Sequence, residues 1–268
     1  FTQYASSEIM NEFFPNEDET KIHEGALRGY QHIVNTGEEE PLCTHGDHYA
    51  TNKGYGIASY NKGEVFLVQL SYIIGQENLD RALLRYFNVW KFRHPDVYDF
   101  IRIAEKESGL ELDWYVEYFV NSTKFPDFSL VDVTETDGKS SIELFRLGKM
   151  IMPVDVVVNK MDGTSVLYTI PLGIMRGAKE EAYAGEFHVA NDWYWTDSGY
   201  ILETEIPMSD IKSVEIDPSL RLADMNREDN CIEALLETVD DIEQSIRYGD
   251  EEKIIALANR IIDRLNEV

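Results

Sequence analysis

Residues Tyr60 to Gly75, YNKGEVFLVQLSYIIG, decide how the rest of the chain is read. Val65, Leu67, Leu70, Ile73 and Ile74 recur at three and four, the spacing of one helix face. Gly75 is placed to end that helix as a C-terminal glycine in the left-handed region. Leu79, Leu83, Leu84, Phe87 and Trp90 predict a second helix. Pro95 suits the first turn of a third, with Asp96 favourable near its positive end, and Ser108-Gly109 stops it. Leu112, Tyr115, Val116 and Phe119 form the face of a fourth. Helical patterning runs from Phe1 to about Phe125.

From Pro126 the signal changes to short alternating or β-branched runs. SLVDVTE (129–135) precedes Asp137-Gly138, SIELFRL (141–147) precedes Gly148, and MPVDVVVNKM (152–161) precedes Asp162-Gly163. TSVLYTIPL, GYILETEI and IKSVEID follow. Asp-Gly pairs between such runs are hairpin signals. Helical spacing then returns in Ile232, Leu235, Leu236, Val239, Ile242 and Ile246, and again in Ile254, Leu257, Ile261 and Leu265. The expectation is an α+β multidomain chain: a helical bundle over 1–125, an antiparallel β-sandwich-like domain over 126–226, and a C-terminal αα-hairpin over 227–268.

With 268 residues, 43% of them hydrophobic, the chain can bury a sizeable core. Its formal charge of −26 argues against nucleic acid, since phosphate binding needs a basic face. It also disfavours an anionic membrane surface, and no apolar run approaches the roughly 18 residues that span a bilayer. Cys43 and Cys231 are too far apart in sequence to suggest a zinc pattern and are expected to be buried thiols. A start at Phe1 rather than Met is read as processing or a cut, so the missing signal peptide leaves the compartment open.

Chemical motifs are few. An H-E-x-x-H zinc helix, a G-x-S-x-G serine elbow and a phosphate loop are all absent from the sequence. His45 and His48, in CTHGDHYATN, are three apart, but Gly46 and the flanks indicate a loop, and spacing fixes no third ligand. They are candidates for a substrate pocket, as is Tyr55. Tyr60 alone would be one aromatic among fifteen tyrosines.

The ordered series around Tyr60 changes that. The Tyr-x-Lys-Gly of Tyr60 to Gly63, the apolar helix ending in Gly75, Tyr86-Phe87, Trp90, His94-Pro95, Asp99-Phe100, Ser108-Gly109 and Asp113-Trp114-Tyr115 resemble the M1 family of gluzincin zinc aminopeptidases. They look like the part that follows the family's zinc motif. VEIDPSLRLADMNREDN is similar to the end of the β domain in bacterial members, and FTQYAS looks like the continuation of the family's third-ligand segment. By that resemblance Phe1 lies two positions after the glutamate ligand, and the histidine ligands and general base lie upstream.

The resemblance implies a thermolysin-like helical half-domain, with Tyr60 as the transition-state hydrogen-bond donor. Tyr55 is the runner-up for that role. It implies a zinc-dependent aminopeptidase acting on peptides, the zinc belonging to the full-length protein and none expected in this chain, which should be inactive alone. The competing reading is a non-catalytic peptide-binding or assembly module, a pseudo-peptidase whose terminal hairpin mediates self-association. A third is the related glycyl-aminopeptidase group, with a similar Tyr-Lys-Gly context. An extracytoplasmic location would follow only from an upstream signal.

Overall fold

The structure, a computed structural model, describes residues 1–180 and 183–233, with 247 and 255. Helices come first: α1 Thr2–Phe13, α2 Glu24–Asn35, α3 Asn52–Ile57, α4 Gly63–Ile74, α5 Gln76–Trp90, α6 Val97–Ser108 and α7 Asp113–Tyr115. Strands follow: β1 Phe128–Thr136, β2 Lys139–Arg146, β3 Val154–Lys160, β4 Ser165–Ile170, β5 Glu186–Val189, β6 Gly199–Thr204, β7 Ile211–Ile216 and β8 Cys231–Glu233. The chain is α+β.

Helix α4 is the axis of the helical part. Every residue from Glu64 to Ile74 is buried, so the helix is enclosed all round and α1, α2 and α5 all pack on it. The inner face of α5 is not the stripe its sequence suggested. Leu79 and Ala82 are buried and Leu83, Tyr86 and Trp90 pack beside them, whereas Leu84 and Phe87 are exposed. Five residues from Leu79 to Leu84 are about 140° around a helix of 3.6 residues per turn, which turns Leu84 away from the core.

Two helix ends also differ from expectation. Gly75 has φ 84° and ψ 148°, a positive φ but an extended ψ, so it is a sharp corner between α4 and α5 and not a left-handed cap. Asp96 is the N-cap of α6, in a reciprocal capping box with Asp99, so Pro95 lies before the helix and not in its first turn.

The strands form a three-stranded sheet, β1-β2-β6, and a five-stranded sheet, β5-β4-β3-β7-β8. Asp137 and Gly138, at φ 53° and 76°, make the tight turn between β1 and β2 that their pairing predicts. The wholly antiparallel expectation fails at β5, which pairs parallel to β4. Its four residues, Glu-Phe-His-Val, are mostly exposed and belong to an edge, so no alternation announced them. Ile232, read as the first residue of a helical stripe, is in β8 opposite Val214. The rest of the predicted hairpin lies outside the described residues. Cys43 and Cys231 are exposed, contrary to the expected burial: one sits in a loop and the other starts an edge strand.

One apolar core runs from the helices into both sheets. Polar bonds bind the joint. Tyr72 Oη, at the end of α4, accepts from Asp155 N of β3 at 2.7 Å. Lys179 Nζ donates to Asp155 Oδ2 at 2.5 Å and to Tyr72 O at 2.9 Å, and Thr169 Oγ1 donates to Asp155 Oδ1 at 2.7 Å. The segment after β7 returns to the helices, with Ala223 N donating to Gln69 Oε1 at 3.1 Å and Gln31 Nε2 to Asp224 O at 2.7 Å. The Asp224 carboxyl, fully buried, takes Phe128 N, Asn226 N and Asn230 Nδ2 at 3.1–3.2 Å. Burial pushes its pKa up to about 7, with Asp127 adding to the rise.

Candidate functional site

Tyr60 lies in a π-helical turn, Ala58–Lys62, that joins α3 directly to α4. A π turn takes one more residue than an α turn and re-aims the side chains around it, and such turns are frequent at functional sites. Thr51 starts this long helix, its hydroxyl accepting Gly54 N at 2.9 Å. Within the turn Ala58 and Lys62 are buried, while Tyr60 is 60% exposed. The bundle therefore grips the turn from one side and leaves the phenol to solvent.

Lys62 supplies much of that grip. Its ammonium donates to Glu39 Oε1 at 2.6 Å and to Ser122 O at 3.2 Å, and it lies over the rings of Phe119 and Tyr30 at 5.2 and 5.9 Å. Burial lowers the Lys62 pKa against the pull of Glu39, and burial raises that of Glu39 against the pull of Lys62. Asn61 faces α2: its Nδ2 reaches Gly25 O at 3.4 Å, and a Cβ at position 29 would come within 2.4 Å of that nitrogen. Gly29 thus lets α2 close on the turn.

Tyr55, half-exposed on α3, belongs to a neighbouring group. The ring of Tyr49 meets it edge-on at 5.5 Å, and Gly46 lies beneath it, so the short 3₁₀ turn Gly46–His48 packs against α3. His45 and His48 are exposed there, ring centroids 5.3 Å apart, with His45 Nδ1 accepting Asp47 N at 3.2 Å. The structure brings His45, His48 and Tyr55 together. Among the described residues no hydrogen bond or ring contact joins any of them to Tyr60, five residues on.

Sequence reasoning missed a second, partly buried cluster at the start of α4. His23 Nδ1 lies 2.7 Å from Glu64 Oε1, and His23 Nε2 lies 3.0 Å from Glu8 Oε1. Ser7 Oγ donates to the same Glu64 oxygen at 2.7 Å, and the Tyr4 ring stacks on His23 at 5.0 Å. Hydrogen bonds to Glu64 and Glu8 hold the His23 pKa above its ordinary value although burial lowers it. The bond to His23 holds that of Glu8 down, although burial raises it. The available signal was Glu64 itself, a carboxylate in a helix apolar on every side, which requires a buried partner.

Among the described residues no group of three or more His, Cys, Asp or Glu side chains is placed to hold a metal ion. No described helix is long and apolar enough to cross a membrane.

No curated protein matches the chain in sequence. Among solved structures it is similar to Legionella pneumophila aminopeptidase A, solved in complex with aspartic acid, at a TM-score of 0.46 and 14% identity. That alignment covers 66% of this chain and 18% of the other, so the chain spans less than a fifth of the length of that relative. The family model "Peptidase family M1 domain" matches residues 1–119, the stretch that holds α1 to α7, Lys62 and Tyr60. Residues 1–119 are thus similar to a peptidase family M1 domain.

Proposed function

We propose that the full-length protein is a zinc-dependent metallo-aminopeptidase that hydrolyses the N-terminal peptide bond of peptides, and that this chain is its C-terminal part, inactive alone. On the same reading 1–125 is the helical part of the catalytic domain, 126–226 a β-sandwich-like domain and 227–268 a helical hairpin. The observation that carries it is the M1 match over residues 1–119 together with an exposed Tyr60 on a buried, ion-paired helical turn.

Tyr60 is the catalytic residue of this chain. When water adds to a peptide carbonyl, negative charge develops on the carbonyl oxygen. A phenol O–H held near that oxygen donates a hydrogen bond that strengthens as the charge grows, so it favours the transition state over the bound substrate. Lys62, Gly29 and the buried face of α4 fix the turn, so that little ordering is left for the reaction itself. Tyr55, His45 and His48, grouped around the neighbouring Gly46–His48 turn, are assigned to substrate binding on the same reading. Zinc, where bound, would supply electrophilic activation in this reading. The described residues do not fit it: His45 and His48 are exposed, His45 already accepts a backbone N–H, and no third ligand joins them. On this reading its ligands belong to another part of the full-length protein.

The test is Tyr60→Phe in the full-length protein. It should lower kcat about 10²–10³-fold with KM little changed. A kcat within a few-fold of the parent overturns the assignment.

A further inference from the structure

We propose that His23 and Glu64 form a positioning device that sets Tyr60 relative to α1, through a three-way lock of α1, the start of α2 and the start of α4. This rests on the reading of Tyr60 as the oxyanion donor.

Three observations carry it. Glu64 follows Tyr60 by four residues, across the junction of the π turn and α4, so a shift in its side chain is felt in the turn. It is 3% exposed and takes two hydrogen bonds on one oxygen, from Ser7 of α1 and from His23. His23 is the N-cap residue of α2, and α2 is the helix that closes on the π turn at Gly25 and Gly29 through Asn61. One imidazole therefore fixes both where α2 rests on the turn and where α4 starts. Its second nitrogen extends the lock to Glu8 of α1, and its face to Tyr4.

The chemistry suits positioning better than packing. An apolar contact would satisfy the same volume, but it would not fix direction. A carboxylate–imidazole–carboxylate chain does, because the two ring nitrogens point in fixed directions at Glu64 and Glu8, 2.7 and 3.0 Å away. The imidazole bridges two acids, and without it the buried Glu64 would keep only the neutral hydroxyl of Ser7 as a donor. An error of about 1 Å in a catalytic donor costs up to about 10²-fold in rate, so a lock this close to Tyr60 acts on kcat.

The experiment is a kinetic double-mutant cycle in the full-length protein, with Tyr60→Phe, His23→Ala and the pair, read as kcat on a peptide-like aminoacyl substrate. His23→Ala alone is expected to lower kcat at least 10-fold with KM within about twofold. On the Tyr60→Phe background it is expected to have almost no further effect, because the donor it positions is already gone. His23→Gln, which keeps one donor toward Glu64, should recover part of the loss. If His23→Ala does not fold, Glu64→Gln runs the same cycle. An unchanged kcat in the single variant, or losses that multiply in the pair, overturns the inference. Absence of peptidase activity in the parent, or an unchanged kcat in Tyr60→Phe, overturns the underlying reading instead.

Discussion

The two ends of α4 are each anchored by a buried lysine bound to a buried acid, and they differ in what they leave open. At the start, Lys62 meets Glu39 at 2.6 Å and holds a turn whose Tyr60 is exposed. At the end, Lys179 meets Asp155 at 2.5 Å inside a network that also engages Tyr72, Thr169 and a backbone carbonyl, and every member of it is buried. The first anchor presents a side chain. The second fastens helices to sheets. The same ion-pair chemistry therefore serves display at one end and closure at the other, and the surroundings decide which.

Breaking either anchor gives the largest expected effect. Lys179→Ala or Lys62→Ala removes the ammonium that pairs with a buried carboxylate and should cost about 3–5 kcal/mol, measured as a lower denaturation midpoint at constant slope. Replacing both partners of the first pair, Lys62→Met with Glu39→Leu, should return most of that stability, since no uncompensated charge remains. A double variant as unstable as the single one would show that the pair is more than a satisfied charge.

A pH series separates the regions next. Asp224 sits in the segment that ties β1 to the helices, and its folded pKa of about 7 lies above the unfolded value of 3.8. The folded state therefore holds the proton more tightly. This contribution is fully present below about pH 4 and is lost as pH rises through about 7. Burial also raises the pKa values of Asp127 and Asp229 in the same cluster, with the same sign. Asp224→Asn should flatten the midpoint-against-pH curve between pH 4 and 7. An unaltered curve would place the proton elsewhere.

The smallest effect is on the exposed phenol. Tyr60→Phe should change stability by less than about 0.5 kcal/mol, as exposed positions without special geometry do. A large loss of stability would make Tyr60 a structural residue and remove the contrast with Lys62.

Much of the fold is legible in the chain because its signals are local. The three-and-four spacing of Val65, Leu67, Leu70, Ile73 and Ile74 marks a helix wherever it packs, and all five are buried. The Asp137-Gly138 turn is legible because two successive positive φ values demand such residues. β5 and β8 were not legible. Each is a three- or four-residue edge strand defined by its neighbour, and nothing inside it encodes the pairing. The buried face of α5 was misjudged because apolar residues outnumbered the positions the core could cover.

The candidate site divides in the same way. Tyr60 is a candidate because of the ordered series of residues around it, and Lys62 enters only as part of that motif. That Lys62 is buried against Glu39, 23 residues earlier, depends on tertiary packing, because no local pattern encodes which of 50 acidic residues meets which cation. His23, Glu8 and Glu64 come from three helical segments, and only the closure of α1 and α2 on α4 makes them one cluster. The sequence by itself determined the periodicity, the hairpin turns and the Tyr-x-Lys-Gly motif, all consequences of neighbouring residues. Tertiary structure decided which charges are buried, which partners satisfy them and which hydroxyl stays exposed. Those outcomes depend on the desolvation of groups far apart in the chain, and burial exists only after the chain has folded.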